Sequence, residues 1–162
     1  MAGSSMVDFI SVWQEITSKF KGDHGSIHGP AHWRRVEANG MQIASANGAD
    51  EVVVRLFAVL HDSCRVDDSY ELTHGQRAAE YAQRLRGNLF EVTDDQFRLL
   101  RYACQWHTHG KVSDDPTIGA CWDADRLDLT RIGIMPDSKF MSTDEGRRIA
   151  SKLAPRNFRH RS

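Results

Sequence analysis

Apolar residues recur three and four positions apart along most of the chain, a spacing that places them on one face of a helix. No segment shows sustained alternation of apolar and polar residues between hairpin turns, the pattern expected of strands. We therefore predict an all-α fold, a single compact bundle of about six to seven helices. The predicted helices cover about residues 7–21, 30–46, 51–61, 73–87, 93–107 and 116–133, and a short last helix begins near residue 142.

Residues with known preferences for helix ends mark the limits of these helices. Pro30 suits the first turn of the second helix, and Gly48 suits the position just past its end. Asp50 and Asp115 are suited to cap the third and sixth helices. Three further helices begin with a capping-box pattern, in which Ser or Thr is followed three residues later by Gln or Glu. These pairs are Thr73 with Gln76, Thr93 with Gln96, and Ser142 with Glu145.

The composition argues against several classes of protein. A net charge of −1 gives no electrostatic signal for nucleic acid, and no apolar run reaches the roughly 18 residues of a membrane span. Residues 1–5 lack the charged and then apolar pattern of a signal peptide. The three cysteines are odd in number and show no CxxC spacing, which favours reduced core thiols in a cytoplasmic protein.

A chain of 162 residues is most simply one domain. We expect this domain to span residues 1–162, with its functional motifs at about 27–133 and a C-terminal helix and basic tail at 134–162. We interpret the tail, residues 156–161, as a solvated chain end rather than a nucleic-acid-binding patch.

The apolar run 56–60 ends in two residues of metal-ligand type, His61 and Asp62. Because the apolar stripe of this helix faces a core, the run delivers an imidazole and a carboxylate to the edge of a buried region. Burying a charge there is costly unless the charge is paired or bound to a metal. A His-Asp pair alone is weak evidence, since most such pairs are solvated helix ends, so other inward-facing ligand types decide its meaning.

Three other helices each place one ionisable residue on their apolar stripe: His32, His107 and Asp125. His28 is expected to fall before the first turn of its helix, and His109 past the end of its own. The stripe of His32 also carries Val36 and Ile43. The stripe of His107 carries Phe97, Leu100 and Cys104. The stripe of Asp125 carries Ile118, Cys121, Trp122, Leu129 and Ile132.

A single inward histidine is more often a hydrogen-bonded core residue than a ligand, and a single inward aspartate is more often a cap or part of a salt bridge. Four or five such groups in one small domain would each need a separate compensating partner, whereas one divalent cation satisfies them together. Two imidazoles and two carboxylates suit Mn, Fe, Co, Ni, Zn or Mg without selecting among them. Without thiolate ligands and with an open coordination position, such a site would be catalytic rather than structural.

Three segments resemble the motifs of the HD superfamily of metal-dependent phosphohydrolases. Residues 28–36, His-Gly-Pro-Ala-His-Trp-Arg-Arg-Val, are similar to the first histidine motif, and residues 61–62 to the name-giving pair. Residues 123–128, Asp-Ala-Asp-Arg-Leu-Asp, are similar to the ADRL element. The motifs occur in the family order and together span about residues 27–133. The resemblance implies an all-helical fold with a central site, in which one divalent cation is held by His32, His61, Asp62 and Asp125.

The resemblance also suggests roles for nearby residues. His74 and His107 occupy regions where dinuclear members place extra histidines, so each is a candidate for a second metal, for substrate binding or for the general acid. His74 alternatively lies at a helix N-terminus that would favour a phosphate. The candidate phosphate ligands are Arg65, Arg126 and Lys111, although Arg126 and Lys111 are more simply explained as solvated surface residues. The candidates to orient a metal-bound histidine are Asp123 and Asp128.

From these residues we predict a divalent-metal-dependent phosphohydrolase that acts on a small phosphoester or nucleotide through a metal-activated water. We expect one divalent ion, with a second as the alternative. The expected partner is a small phosphorylated substrate, with no membrane and no nucleic acid involved. Two other classes stay open: a dinuclear-iron oxygenase on the same scaffold, and a non-catalytic domain that binds a nucleotide or a partner.

Overall fold

The computed structural model describes residues 6–155, so the predictions for residues 1–5 and 156–161 lie outside the described residues. The described part is helical, with two short 3-10 helices and no β-strand, which confirms the predicted all-α class. Within it, no helix combines the length and apolar character needed to cross a membrane. The α-helices are α1 (Phe9–Lys19), α2 (Pro30–Asn47), α3 (Glu51–Leu60), α4 (His74–Leu85), α5 (Asp94–Trp106), α6 (Pro116–Arg126) and α7 (Asp144–Leu153).

Helix α3 forms the centre of the bundle, because it is apolar on nearly all sides and therefore has no face suited to water. It packs against α2, α5 and α6, while α4 packs against α5 and α2 against α6. A Cβ at Gly40 in α2 would collide with the side chain of Val54, so this glycine lets α2 lie close to α3. The ends of these helices therefore meet in a small volume.

Two of the three predicted capping boxes are not formed in the structure. Thr93 and Gln96 form the predicted reciprocal box at α5. At α4 the box is absent, because the Thr73 hydroxyl donates to the Glu71 carboxylate and accepts from Arg77, and Thr73 already has helical backbone angles. The α4 helix nevertheless begins at the predicted position.

The last helix is capped one residue later than predicted. The hydroxyl of Ser142 accepts a hydrogen bond from the backbone N–H of Ser113, so it is not available to the helix. The Thr143 hydroxyl accepts from the backbone N–H of Gly146 instead and caps α7.

The sixth predicted helix changes type before its end. Helix α6 ends at Arg126 and continues as a 3-10 helix, Leu127–Ile132, which stops at Gly133 in the left-handed conformation with φ 76°. Asp125 in the last turn of α6 and Asp128 in the 3-10 helix both contact the same side chain, His32 of α2.

Candidate metal centre

Two buried histidines meet through their Nε2 atoms in the centre of the bundle. His32 lies in the first turn of the long helix α2, and His61 follows the last residue of α3. Their Nε2 atoms are 3.1 Å apart, and neither side chain is exposed. The Nδ1 of His61 lies 3.1 Å from the carbonyl oxygen of Phe57 and 3.0 Å from that of Ala58. Since carbonyls only accept, the neutral His61 ring carries its proton on Nδ1 and presents a lone pair at Nε2.

His32 has the same tautomer for a different reason. Its Nδ1 lies 2.6 Å from Oδ2 of Asp128, and the other oxygen of that carboxylate accepts from Nε of Arg35 at 2.8 Å. The carboxylate takes the Nδ1 proton, so the neutral ring of His32 also presents its lone pair at Nε2. Two lone pairs 3.1 Å apart repel each other unless a cation or a proton lies between them.

Two carboxylates complete this first cluster. Oδ1 of Asp125 lies 3.1 Å from Nε2 of His32 and 3.4 Å from Nε2 of His61. Oδ2 of Asp62 lies 3.4 Å and 3.5 Å from the same two atoms. One ligand atom from each of the four residues lies within 4.8 Å of all the others. The structure thus brings the four sequence-predicted ligands together in an arrangement that fits a divalent metal site.

A second cluster adjoins the first through the other oxygen of Asp62. Nε2 of His74 and Nε2 of His107 are 3.1 Å apart, and each is 3.3 Å from Oδ1 of Asp62. The two Nδ1 atoms lie 2.9 Å from the carbonyl of Glu71 and 2.6 Å from the carbonyl of Cys104, so both neutral rings again present lone pairs at Nε2. The three side chains are buried and could hold a second metal ion.

This second cluster depends on the close approach of α4 and α5. A Cβ at Gly75 would lie 2.6 Å from the carbonyl oxygen of Cys104 and 2.9 Å from that of Gln105, so only glycine fits beside His74. We expect Gly75→Ala to lower the free energy of unfolding by about 1–3 kcal/mol, because the two helices must separate. Urea denaturation measures this loss, with Gly25→Ala in an open turn as the control that leaves stability within about 0.5 kcal/mol. Equal denaturation midpoints for the two variants would contradict the tight contact.

The charges of the first cluster are strongly coupled. Burial disfavours a charged His32, but its hydrogen bonds with Asp125, Asp128 and Asp62 outweigh this effect and raise the pKa of His32 to about 10. Burial likewise disfavours ionised Asp62 and Asp125, yet the surrounding histidines, with His61 the largest favourable contribution, hold the pKa of both carboxyls well below their usual value. Two ionised carboxylates in a buried site demand positive charge, which protons or a divalent cation supply.

Two further side chains contact Asp62. Nδ1 of His28 lies 3.2 Å from Oδ2 of Asp62, and the His28 side chain keeps 13% of its surface exposed. The sequence analysis left His28 outside the site, although its spacing of four from His32 was a usable signal. Nε of Arg65 lies 3.5 Å from Oδ1 of Asp62, while its NH1 donates to the carbonyl of Ser69. Both residues thus border the clusters.

Several predicted residues lie elsewhere. Asp123 does not orient a histidine: its carboxylate accepts from the backbone N–H groups of Ser142 and Thr143 and pins the start of α7 to α6. Arg126 donates to the carbonyl of Phe140, and Lys111 lies over the ring of Trp106, so neither contacts the clusters. The exposed His109 packs against Trp106 as well. Of the two candidate aspartates, Asp123 and Asp128, it is Asp128 that contacts a histidine of the first cluster, His32.

Comparison with known proteins agrees with this fold. No family model matches the chain, and none of the curated proteins matches it. A solved structure described as a predicted HD superfamily hydrolase, from an uncultured Thermotogales bacterium, superposes with a TM-score of 0.69. The match covers 91% of this chain and 86% of that chain, at 23% sequence identity. The fold is therefore that of an HD superfamily protein, as the three motifs predicted.

Proposed function

We propose that this protein is a divalent-metal-dependent phosphohydrolase of the HD type that acts on a small phosphoester or nucleotide. One observation carries the proposal: two Nε2 lone pairs, on His32 and His61, converge with the carboxylates of Asp62 and Asp125 in the interior of the bundle. The side chain of Asp125 keeps 18% of its surface exposed, so the cluster has an open side for a substrate. The description of the structural neighbour as a hydrolase supports the same class of chemistry.

Within this proposal, the chain holds and orients its ligands through fixed hydrogen bonds. Asp128 keeps the proton of His32 on Nδ1, and the backbone carbonyls at the end of α3 do the same for His61, so both Nε2 atoms stay available. A bound divalent ion would supply Lewis-acid chemistry, which lowers the pKa of a water and polarises a phosphoryl oxygen.

Two residues at the edge of the clusters would act on the substrate. The guanidinium of Arg65 matches the oxygens of a phosphate group and would neutralise its charge. The partly exposed imidazole of His28 would hydrogen-bond to the phosphoester, on the side of Asp62 that faces the first cluster. We expect a small phosphorylated molecule, rather than a nucleic acid or a membrane, as the partner.

The test combines metal content with phosphate release. The full chain is purified and its metal measured by elemental analysis, and it is then loaded separately with Mn, Fe, Co, Ni, Zn and Mg. Each preparation is assayed for phosphate release from a panel of nucleotides and from p-nitrophenyl phosphate. We expect release that depends on the metal and stops when a chelator removes it. Absence of release with all six metals would refute the assignment.

The sharing of Asp62 between two clusters favours one second candidate, a dinuclear-iron oxygenase. The two carboxylate oxygens of Asp62 face different histidine pairs, His32 with His61 and His74 with His107, so these residues together with Asp125 would be able to hold two irons. The same elemental analysis separates the candidates. Two irons per chain together with oxygen consumption would favour the oxygenase, and phosphate release without oxygen consumption would favour the hydrolase.

A further inference from the structure

A cavity of about 500 Å³ lies beside the metal centre, between α1, α4 and the turn that follows Asp62. This volume falls within the range of small-molecule sites, roughly 300–1,000 Å³. Residues 63–66 form its inner wall, and none of the candidate metal ligands lines it. Apart from Arg65, which also borders Asp62, its side chains belong to a different site from the two histidine clusters.

Two buried polar atoms of residues that line this cavity lack a hydrogen-bond partner, the hydroxyl oxygen of Tyr81 and Nε of Arg65. Nε of Arg65 faces Oδ1 of Asp62 at 3.5 Å in an ion pair, so of the two only the Tyr81 hydroxyl is left without a polar partner. Buried polar groups in folded proteins are nearly always hydrogen-bonded, because leaving one unpaired costs the desolvation of that group. The Tyr81 hydroxyl therefore indicates a missing acceptor.

The charges around the cavity favour an anionic acceptor. Three of its five cations have carboxylate partners, but no ion pair within residues 6–155 involves Lys21 or Arg84. Glu80 is the acidic residue of the wall, and it already accepts from Gln76. The cations that line the cavity are Lys19, Lys21, Arg65, Arg77 and Arg84.

Burial is the main cause that raises the pKa of Tyr81, which keeps its hydroxyl a donor. A ligand therefore meets a neutral donor and cations rather than further negative charge.

We propose that this cavity binds a small phosphate-bearing molecule, held by the Tyr81 hydroxyl, Lys21 and Arg84, at a site separate from the metal centre. These side chains come from the segment after α1 and from α4, and both segments line the cavity. Guanidinium and ammonium groups are the side chains that recognise phosphate oxygens. This inference does not depend on the proposed hydrolase activity.

Calorimetric titration with inorganic phosphate tests the site, using the full chain before and after treatment with a chelator. We expect one phosphate per chain in both preparations, with a dissociation constant of about 1 mM or tighter. Arg84→Gln and Tyr81→Phe should each weaken binding by about tenfold, since each removes one donor to an anion. The control is Arg98→Gln on α5, which removes an exposed cation outside the cavity and should bind phosphate as the wild type does.

The Tyr81→Phe variant also separates binding from folding. Because its hydroxyl has no partner within the described part of the chain, its removal should leave the urea denaturation midpoint unchanged or higher while phosphate binding weakens. Absence of phosphate binding up to tens of millimolar would overturn the proposal. Equal binding by Arg84→Gln, Tyr81→Phe and wild type would also overturn it, as would loss of binding in His61→Ala, which would place the phosphate at the metal centre.

Discussion

Asp62→Ala is expected to remove bound metal from the protein and to lower any phosphohydrolase activity by about 1,000-fold or more. Asp62 directs one oxygen to His32 and His61 and the other to His74 and His107, so its loss affects both clusters at once. The Lewis-acid contribution of a metal to phosphoryl transfer is several kcal/mol, and each 1.4 kcal/mol corresponds to a factor of ten in rate. Elemental analysis and phosphate-release assays on the same preparation measure both effects.

Two matched variants separate this effect from a folding defect. Asp62→Asn keeps the shape of the side chain but loses its charge, so it should fold with the wild-type far-UV circular dichroism spectrum and still lose metal. Asp68→Ala removes an exposed carboxylate from the loop after the site and should keep full metal content and activity. Wild-type activity in Asp62→Ala would refute the metal-centre assignment.

Addition of saturating divalent metal to the chelator-treated protein should raise its melting temperature by about 5–15 °C. A ligand present at 100 to 1,000 times its dissociation constant stabilises the folded state by about 2.7–4.1 kcal/mol, and a domain of this size shifts by about 2–4 °C per kcal/mol. The ion is expected to bind only the folded state, because the four ligand residues are far apart in the sequence and meet only when the chain folds. Thermal unfolding followed by circular dichroism at several metal concentrations measures it, and a melting temperature independent of metal would contradict the prediction.

The size of this stabilisation should increase with pH. In the metal-free protein the pKa of His32 is raised to about 10, so its proton stabilises the fold below about pH 6.5, and this stabilisation is lost as the pH rises through about 10. The pKa of Asp62 and of Asp125 is lowered, so both stay ionised over this range. The metal competes with the His32 proton and gains as that proton is lost.

The metal-induced shift in melting temperature should therefore be larger near pH 9 than near pH 6. His109→Ala, which removes an exposed histidine outside the clusters, is the control and should show the same increase as the wild type. A shift that is constant or that decreases with rising pH would show that no proton is displaced when the metal binds.

The local pattern of the chain was sufficient to predict most of the fold. Helical spacing of apolar residues located the helices, and Pro30, Gly48, Asp50 and Asp115 marked ends that the structure has at or next to the predicted positions. These signals depend on interactions within one or two turns of a helix, so they are readable without tertiary information. The box at Thr73 failed because a neighbouring carboxylate, Glu71, competes for its hydroxyl and its backbone N–H.

The site was predictable in two steps. A histidine or aspartate on an apolar stripe is costly to bury alone, so the stripes that carry His32, His107 and Asp125, together with the pair at residues 61–62, indicated a common partner. The resemblance of three segments to the HD motifs then singled out the four ligands of the first cluster. The structure brings all four side chains together, as this reasoning expected.

Tertiary structure alone decided which polar residues outside the stripes reach the site. The sequence left both Asp123 and Asp128 as candidates to orient a histidine. In the structure Asp128 contacts His32, while Asp123 accepts from the backbone at the start of α7. His28 reaches Asp62 from a turn outside the helix, where no periodicity constrains the direction of a side chain.

The sequence by itself thus determined most of the helices, through the cost of exposing apolar groups. It indicated the four residues of the first cluster through inward-facing ionisable side chains and the resemblance of three segments to the HD motifs. The joining of His74 and His107 through Asp62, and the cavity with its unpaired Tyr81 hydroxyl, arise only where separate helices pack. Gly75 shows the reason: whether two helices approach closely depends on the surfaces of both, and neither sequence segment carries that information alone.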